Sequence, residues 1–139
     1  MQTKLYKIPV SFSDILNNKG ISTINIRNSI EQNIQLLITT VNGECKFDKL
    51  YGCKWWENDF NLKQTILEIK EQLEESVRHS LEIYEKRLNN AVITATILQP
   101  EVNQPGKIKV ELNISGIITS NNQFLKCRYV FLISPFCQY

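Results

Sequence analysis

The chain has 139 residues, 42% of them hydrophobic, and a formal net charge of +2. That length suits a single domain with a real core, needing neither disulfides nor a metal to fold. The weak charge argues against a nucleic-acid binder, which carries a denser basic stripe, and no apolar run approaches the roughly 18 residues of a membrane span. The first ten residues mix Lys4, Tyr6 and Lys7 with apolar positions and lack a signal peptide's apolar stretch, so the expectation is a cytosolic protein without direct membrane insertion.

Residues 1–22 read as an N-terminal arm, and 23–139 as a single domain. In the arm, Ile8, Val10, Phe12, Ile15 and Leu16 can dock on something, while Pro9, Asn17, Asn18 and Gly20 interrupt any long element. A helix is predicted next. Ile26, Ile30, Ile34 and Leu37 recur at helical spacing, Thr23 or Asn25 can cap the start, and Val41-Asn42-Gly43 ends it. Residues 43–60 are dense in aromatics (Phe47, Tyr51, Trp55, Trp56, Phe60), and are expected to form a short strand or turn laying those rings over the core.

A second helical stretch starts at Leu62, with Asn61 as its cap. Its apolar stripe runs through Ile66, Ile69, Leu73, Val77, Leu81 and Tyr84 to Leu88. Unbroken, it would be about 40 Å long, so it either breaks near Ser76–Ser80 or runs along the whole body. The last third is β. Ala91–Leu98 is β-branched, and Ile108, Val110, Leu112 and Ile114 alternate with polar residues. Asn121-Asn122 marks a turn, and Phe124–Ile133 is apolar on both faces, as in a central strand or one covered by a partner. The fold class is therefore α+β, two N-terminal helical segments packed on a C-terminal antiparallel β-meander.

Chemistry is sparse. Cys45, Cys53, Cys127 and Cys137 have no metal-ligand spacing and read as reduced thiols filling apolar space. His79 falls on a helix between Arg78 and Ser80 and reads as a solvated histidine. Glu44, Asp48, Glu57 and Asp59 could be imagined as a glycosidase pair, but nothing in their spacing selects two of them, and surface carboxylates are ordinary. Lys107, Lys109, Lys126 and Arg128 could line one side of a hairpin. A solvent face that discourages edge-to-edge pairing accounts for them without a nucleic acid. No cofactor is expected.

Several strings nevertheless fall in a recognisable order: Ser29–Ile34 running into Leu36–Thr40, then Gly43-Glu44, Phe47-Asp48, and Tyr51-Gly52-Cys53 with Trp55-Trp56 behind. A long amphipathic helix then reaches Tyr84-Glu85-Lys86-Arg87-Leu88, followed by strands. Over residues 26–133 this resembles the baseplate wedge family of contractile tails, whose type VI secretion member is TssE. The resemblance implies a structural subunit that joins other wedge proteins, TssF-like and TssG-like, to the contractile sheath, accepting sheath strands at an open sheet edge. Some family members carry an old lysozyme label. The family's Glu-Pro-Arg motif, a wedge contact, is matched by Glu85 and Arg87, with Lys86 in the proline's place. That form resembles type VI systems of the Bacteroidetes kind more than phage or extracellular particles. Glu85, Lys86 and Arg87 are the expected partner-binding residues, with Gly52, Trp55 and Trp56 as structural or contact residues. The implied place is the cytoplasm, in a baseplate near the inner membrane.

Overall fold

The computed structural model describes residues 4–20, 23–54, 66–98 and 108–133. Among the described residues three helices precede three strands: α1 Phe12–Leu16, α2 Ile26–Thr39, α3 Ile66–Tyr84, β1 Leu88–Leu98, β2 Ile108–Ile118 and β3 Phe124–Ile133. The strands form an antiparallel meander in the order β1-β2-β3. The expected α+β class holds, with the helices N-terminal to the sheet.

Helix α2 starts where the sequence places it. Asn25 is its N-cap, and the side chain accepts from Asn28 N at 2.8 Å, satisfying one of the free amides of the first turn. Its Ile30, Ile34, Leu37 and Ile38 are buried. Helix α3 runs through Ser76–Ser80 without a break and buries Leu73, Val77 and Leu81. Those side chains join Ile93 and Ala95 of β1, Val110, Leu112, Ile114 and Ile118 of β2, and Leu125 and Cys127 of β3 in one core. Among the described residues no helix is long and apolar enough to cross a membrane.

Four expectations need correction. Helix α3 stops at Tyr84, so Leu88 belongs to β1 rather than to the helical stripe. The helix end is held there because Asn33 Nδ2 donates to the Tyr84 carbonyl at 3.2 Å, while Thr119 N takes the Arg87 carbonyl at 2.9 Å and draws the chain into the sheet. Strand β1 starts at Leu88, three residues before the β-branched run. A register shift between Asn89 and Val92, with Asn90 at φ 53°, hides its start from an alternation pattern. Phe47 does not cover the core but is fully exposed. The Asp48 carboxylate accepts Leu50 N at 3.0 Å, and the resulting turn swings Tyr51 inward instead. Finally, of the two alternatives for Phe124–Ile133, a central strand or one covered by a partner, the first falls: β3 is an edge strand and β2 the central one. Along β3, Leu125 and Cys127 are buried and Phe124, Lys126, Arg128 and Val130 exposed, an alternation the sequence pattern obscured.

The arm contains the short helix α1 and folds back beside α2. Tyr6 bridges Thr23, and Ile24 N donates to the Leu5 carbonyl at 2.9 Å. Gln32 grips it with both ends of one amide, accepting from Ile8 N at 2.7 Å and donating to the Tyr6 carbonyl at 3.2 Å.

Candidate functional site

The segment from Tyr84 to Leu88 turns a helix into a strand under α2. Glu85 is 2% exposed. A carboxylate taken this far from water needs a full set of donors. Arg87 supplies a fork, Nε to Oε1 at 2.8 Å and Nη2 to Oε2 at 2.9 Å, and its own amide adds a longer bond to Oε1 at 3.3 Å. Asn33 Nδ2 donates to Oε2 at 2.7 Å. The third guanidinium nitrogen, Arg87 Nη1, donates to Ser29 Oγ at 2.9 Å, so the pair ties the loop to α2. Hydrogen bonding to Glu85 raises the Arg87 guanidinium above its ordinary value, with burial working against it. The Arg87 side chain stays 33% exposed, and Lys86 between them faces solvent.

A second tier holds this one. Tyr51 OH donates to Asn33 Oδ1 at 3.0 Å, and the Tyr51 and Tyr84 rings meet edge to face with centroids 5.0 Å apart. Tyr84 OH donates to Asp48 at 2.9 Å. Burial raises the Tyr51 phenol above its ordinary value, which keeps it a donor. Gly52 follows directly. Its φ of 114° is one that side chains rarely adopt, and a Cβ there would collide with the Thr40 carbonyl. The close approach lets Cys53 N donate to Thr40 O at 2.9 Å and Ser80 Oγ donate to the Gly52 carbonyl at 2.7 Å. Gly52 thereby joins the end of α2 to the C-terminal part of α3.

Sequence reasoning picked out Glu85, Lys86, Arg87 and Gly52, and the structure places Glu85 and Arg87 in one cluster. It missed Ser29, Asn33 and Tyr51. A signal existed: Ser29 and Asn33 lie four apart beside Ile30 and Ile34 of the apolar stripe, and polar groups on a buried face need polar partners. Trp55 and Trp56 lie outside the described residues, as do Glu57, Asp59, Asn61, Leu62 and Cys137.

Beside Lys86 a groove of about 500 Å³ is lined by Arg78, Glu82, Glu85, Asn89 and Asn90 among others. Of the imagined glycosidase carboxylates, the two that are described serve turns: Glu44 accepts from Val41 N at 3.0 Å, and Asp48 accepts from Leu50 N and Tyr84 OH. Among the described residues no group of three or more His, Cys, Asp or Glu could hold a metal ion.

The two sheet edges differ. On β1, Ala95 N donates to Glu74 Oε1 at 2.8 Å, so a carboxylate from α3 occupies that edge. On β3, Ile118 N donating to Gln123 O sets the phase of the ladder, which turns the backbone of Lys126, Arg128 and Val130 outward.

The model of a family described as baseplate wedge protein gp25 matches residues 25–123, from the N-cap of α2 to the turn before β3. No curated protein matches the chain. Among solved structures, a protein from Geobacter sulfurreducens described as a tail lysozyme superposes with a TM-score of 0.66 at 20% identity, over 83% of this chain and 97% of that one. A chain of the baseplate complex from the type VI secretion system superposes with a TM-score of 0.57 at 18% identity, over 77% of this chain and 93% of that one. At these identities the likeness is one of fold.

Proposed function

Because the chain belongs to the baseplate wedge protein gp25 family, we propose that it is a TssE-like structural subunit of a type VI secretion baseplate, acting by protein contacts rather than catalysis. The observation that carries this beyond the family match is the clamp at Tyr84–Leu88. A buried carboxylate fixes Arg87 and leaves Lys86 and the open side of the guanidinium on the surface, beside a groove. Buried pairs of this kind set one geometry more than they add stability. In this reading Glu85 positions Arg87, and Lys86 and Arg87 meet TssF-like and TssG-like wedge proteins. Gly52 holds the loop that backs the clamp, and Trp55 and Trp56 are contact or packing residues. The sheath strand adds to β3, whose edge is outward-facing, and not to β1, where Glu74 stands. The subunit works in the cytoplasm, in a baseplate near the inner membrane.

The test is co-purification with wedge proteins from the same genome. Arg87→Glu is unsuitable, since it sets a second carboxylate against buried Glu85 and disturbs the fold itself. Lys86→Glu and Glu82→Lys alter exposed positions and leave the clamp intact. Loss of co-purification in a variant that melts like the parent supports the site. Unchanged co-purification in both moves the wedge contact elsewhere, and no co-purification by the parent overturns the wedge role.

A second reading comes from the relative described as a tail lysozyme. It predicts lysis of purified peptidoglycan that disappears in Glu44→Gln, Asp48→Gln or Glu57→Gln. We expect no lysis, since Glu44 and Asp48 are turn caps and nothing in the spacing of the three carboxylates selects an acid–base pair.

A further inference from the structure

On the helix side of β3 lies a groove that the wedge reading does not use. It measures about 380 Å³ and is lined by Lys7, Ile8, Asn28, Glu31, Gln35 and Tyr129 among others, so one wall is the arm, one is α2 and one is β3. Its place beside the sheet follows from α2. Asn28, Glu31, Gln32 and Gln35 share one helical face, turned away from Ser29 and Asn33, which meet the clamp beyond the end of α3. Helix α3 packs on β1, and β3 is the other edge of the sheet. The groove therefore opens beside the free edge of β3. Two of its three walls, the arm and β3, lie outside the residues 25–123 that the family model matches.

A strand added at that edge has its side chains placed by the ladder. Leu125, Cys127 and Tyr129 bond to β2, whereas Lys126, Arg128 and Val130 turn their N–H and C=O groups outward and their side chains to the face away from the helices. An incoming strand lies about 4.8 Å from β3 and alternates in the same way. Every second residue then turns to the helix side, into the groove beside Cys127 and Tyr129, and the others line up with Lys126, Arg128 and Val130. The uncommitted charge along this route has one sign. Glu31 is paired with Arg27 at 3.3 Å, and Arg128 with Glu111 at 2.8 Å. Among the described residues Lys7, in the groove, and Lys126, on the outer face, have no ion-pair partner. Asn28 and Gln35 add side-chain amides to the groove wall.

We propose that the sheath strand runs in a slot between β3 and the arm, and that it is an acidic strand: a carboxylate on its helix side meets Lys7, with Asn28 and Gln35 within the same groove, and a carboxylate on its other side meets Lys126. The arm is then the wall that selects the strand. Gln32 positions that wall, since its one amide accepts from Ile8 N and donates to the Tyr6 carbonyl. A wall already held in place loses little freedom when the strand enters. Main-chain pairing with β3 accepts many sequences, and the groove and the two lysines narrow the choice. The slot rests on the reading that a sheath strand adds to β3.

The affinity of the full chain for the sheath subunit from the same genome tests it, measured over a range of salt concentrations. Val130→Pro probes the edge alone: the Val130 N–H faces outward, so the β2–β3 ladder keeps its bonds while an added strand loses one. It should abolish binding. Lys7→Glu with Lys126→Glu should weaken binding about tenfold and flatten its salt dependence, because both exposed residues act through charge. Lys4→Glu makes a charge change of the same kind on the arm outside the groove lining and should leave binding unchanged. Gln32→Ala frees the arm and should weaken binding about fivefold with the melting curve of the core unchanged. Binding lost in Val130→Pro but kept in both the Lys7/Lys126 and the Gln32 variants overturns the slot and leaves strand addition standing. So does a loss in Lys4→Glu equal to that in the Lys7/Lys126 variant, which reduces the effect to net charge. Binding that survives Val130→Pro, or a parent that does not bind the sheath subunit, overturns strand addition to β3 and the slot with it.

Discussion

Arg87→Met tests the clamp most directly. It keeps the bulk of the side chain and removes the charge. Glu85 would lose the bonds at 2.8 and 2.9 Å from the guanidinium and keep Asn33 and a long backbone contact, all neutral donors. Ser29 would lose its partner as well. Breaking a buried ion pair on one side costs about 3–5 kcal/mol. The Arg87 side chain is 33% exposed, so water can reach the vacated space and the low end, about 3 kcal/mol, applies. For a chain of this length that lowers the melting temperature by roughly 10 °C. Glu85→Gln together with Arg87→Met removes the stranded charge, and the double variant should recover about 2 kcal/mol or more. Urea unfolding of wild type, both single variants and the double variant gives the coupling, provided the m-value stays constant. A single variant costing under about 1 kcal/mol, or a double variant equal to the sum of the singles, would refute the clamp.

Other substitutions follow from local geometry. Gly52→Ala should cost about 3 kcal/mol or more, because positive φ and the Thr40 backbone both oppose a Cβ. Gly116→Ala, whose Cβ would press chiefly on the Leu88 side chain, should cost nearer 1–2 kcal/mol by the same urea assay, roughly the ordinary cost of overpacking. Lys86→Pro lies two residues beyond the last residue of α3, so it should leave the melting temperature unchanged or raise stability by about 0.5–1 kcal/mol. Glu111 has its carboxyl held below the ordinary value, first by its hydrogen bond from Arg128 and then by Asn113. The contribution is therefore present above the ordinary carboxylate range and lost as pH falls through the lowered value, and Arg128→Ala should move the Glu111 carboxyl resonance titration upward. Tyr129 has its phenol raised above the ordinary value by burial. Stability should fall as pH climbs past the unfolded phenol's value, near 10, and Tyr129→Phe should soften that alkaline loss.

The readable parts of the sequence were those where one local pattern decides the outcome. Helix α2 was legible because its apolar spacing and its capping Asn25 agree, and β2 because its buried residues strictly alternate. The end of α3 was not. Its apolar stripe continues in phase to Leu88, and the chain leaves the helix because Asn33, fifty-one residues earlier, takes the Tyr84 carbonyl. The start of β1 was hidden for a similar reason: a bulge breaks alternation, and Gly116 on the neighbouring strand makes room for it. In the candidate site, Glu85 and Arg87 stood out by family resemblance alone. Their partners on α2 are fifty-two and fifty-eight residues away, and only the mixture of Ser29 and Asn33 with isoleucines hinted that something polar would meet them.

The meander pairs each strand with its neighbour in the chain, so the sheet can assemble hairpin by hairpin without waiting for distant segments. Helix α2 has the opposite situation. Tyr129 OH donates to the Glu31 carbonyl across ninety-eight residues of chain, and the isoleucines of α2 share their core with β2 and β3. During synthesis α2 emerges first, and the surface that buries it emerges last. At a typical 5–20 residues per second, its apolar face waits on the order of 5–20 seconds before the sheet exists to cover it. The nascent chain is thus most exposed to aggregation and to chaperones over that interval, and a slow ribosome would lengthen it.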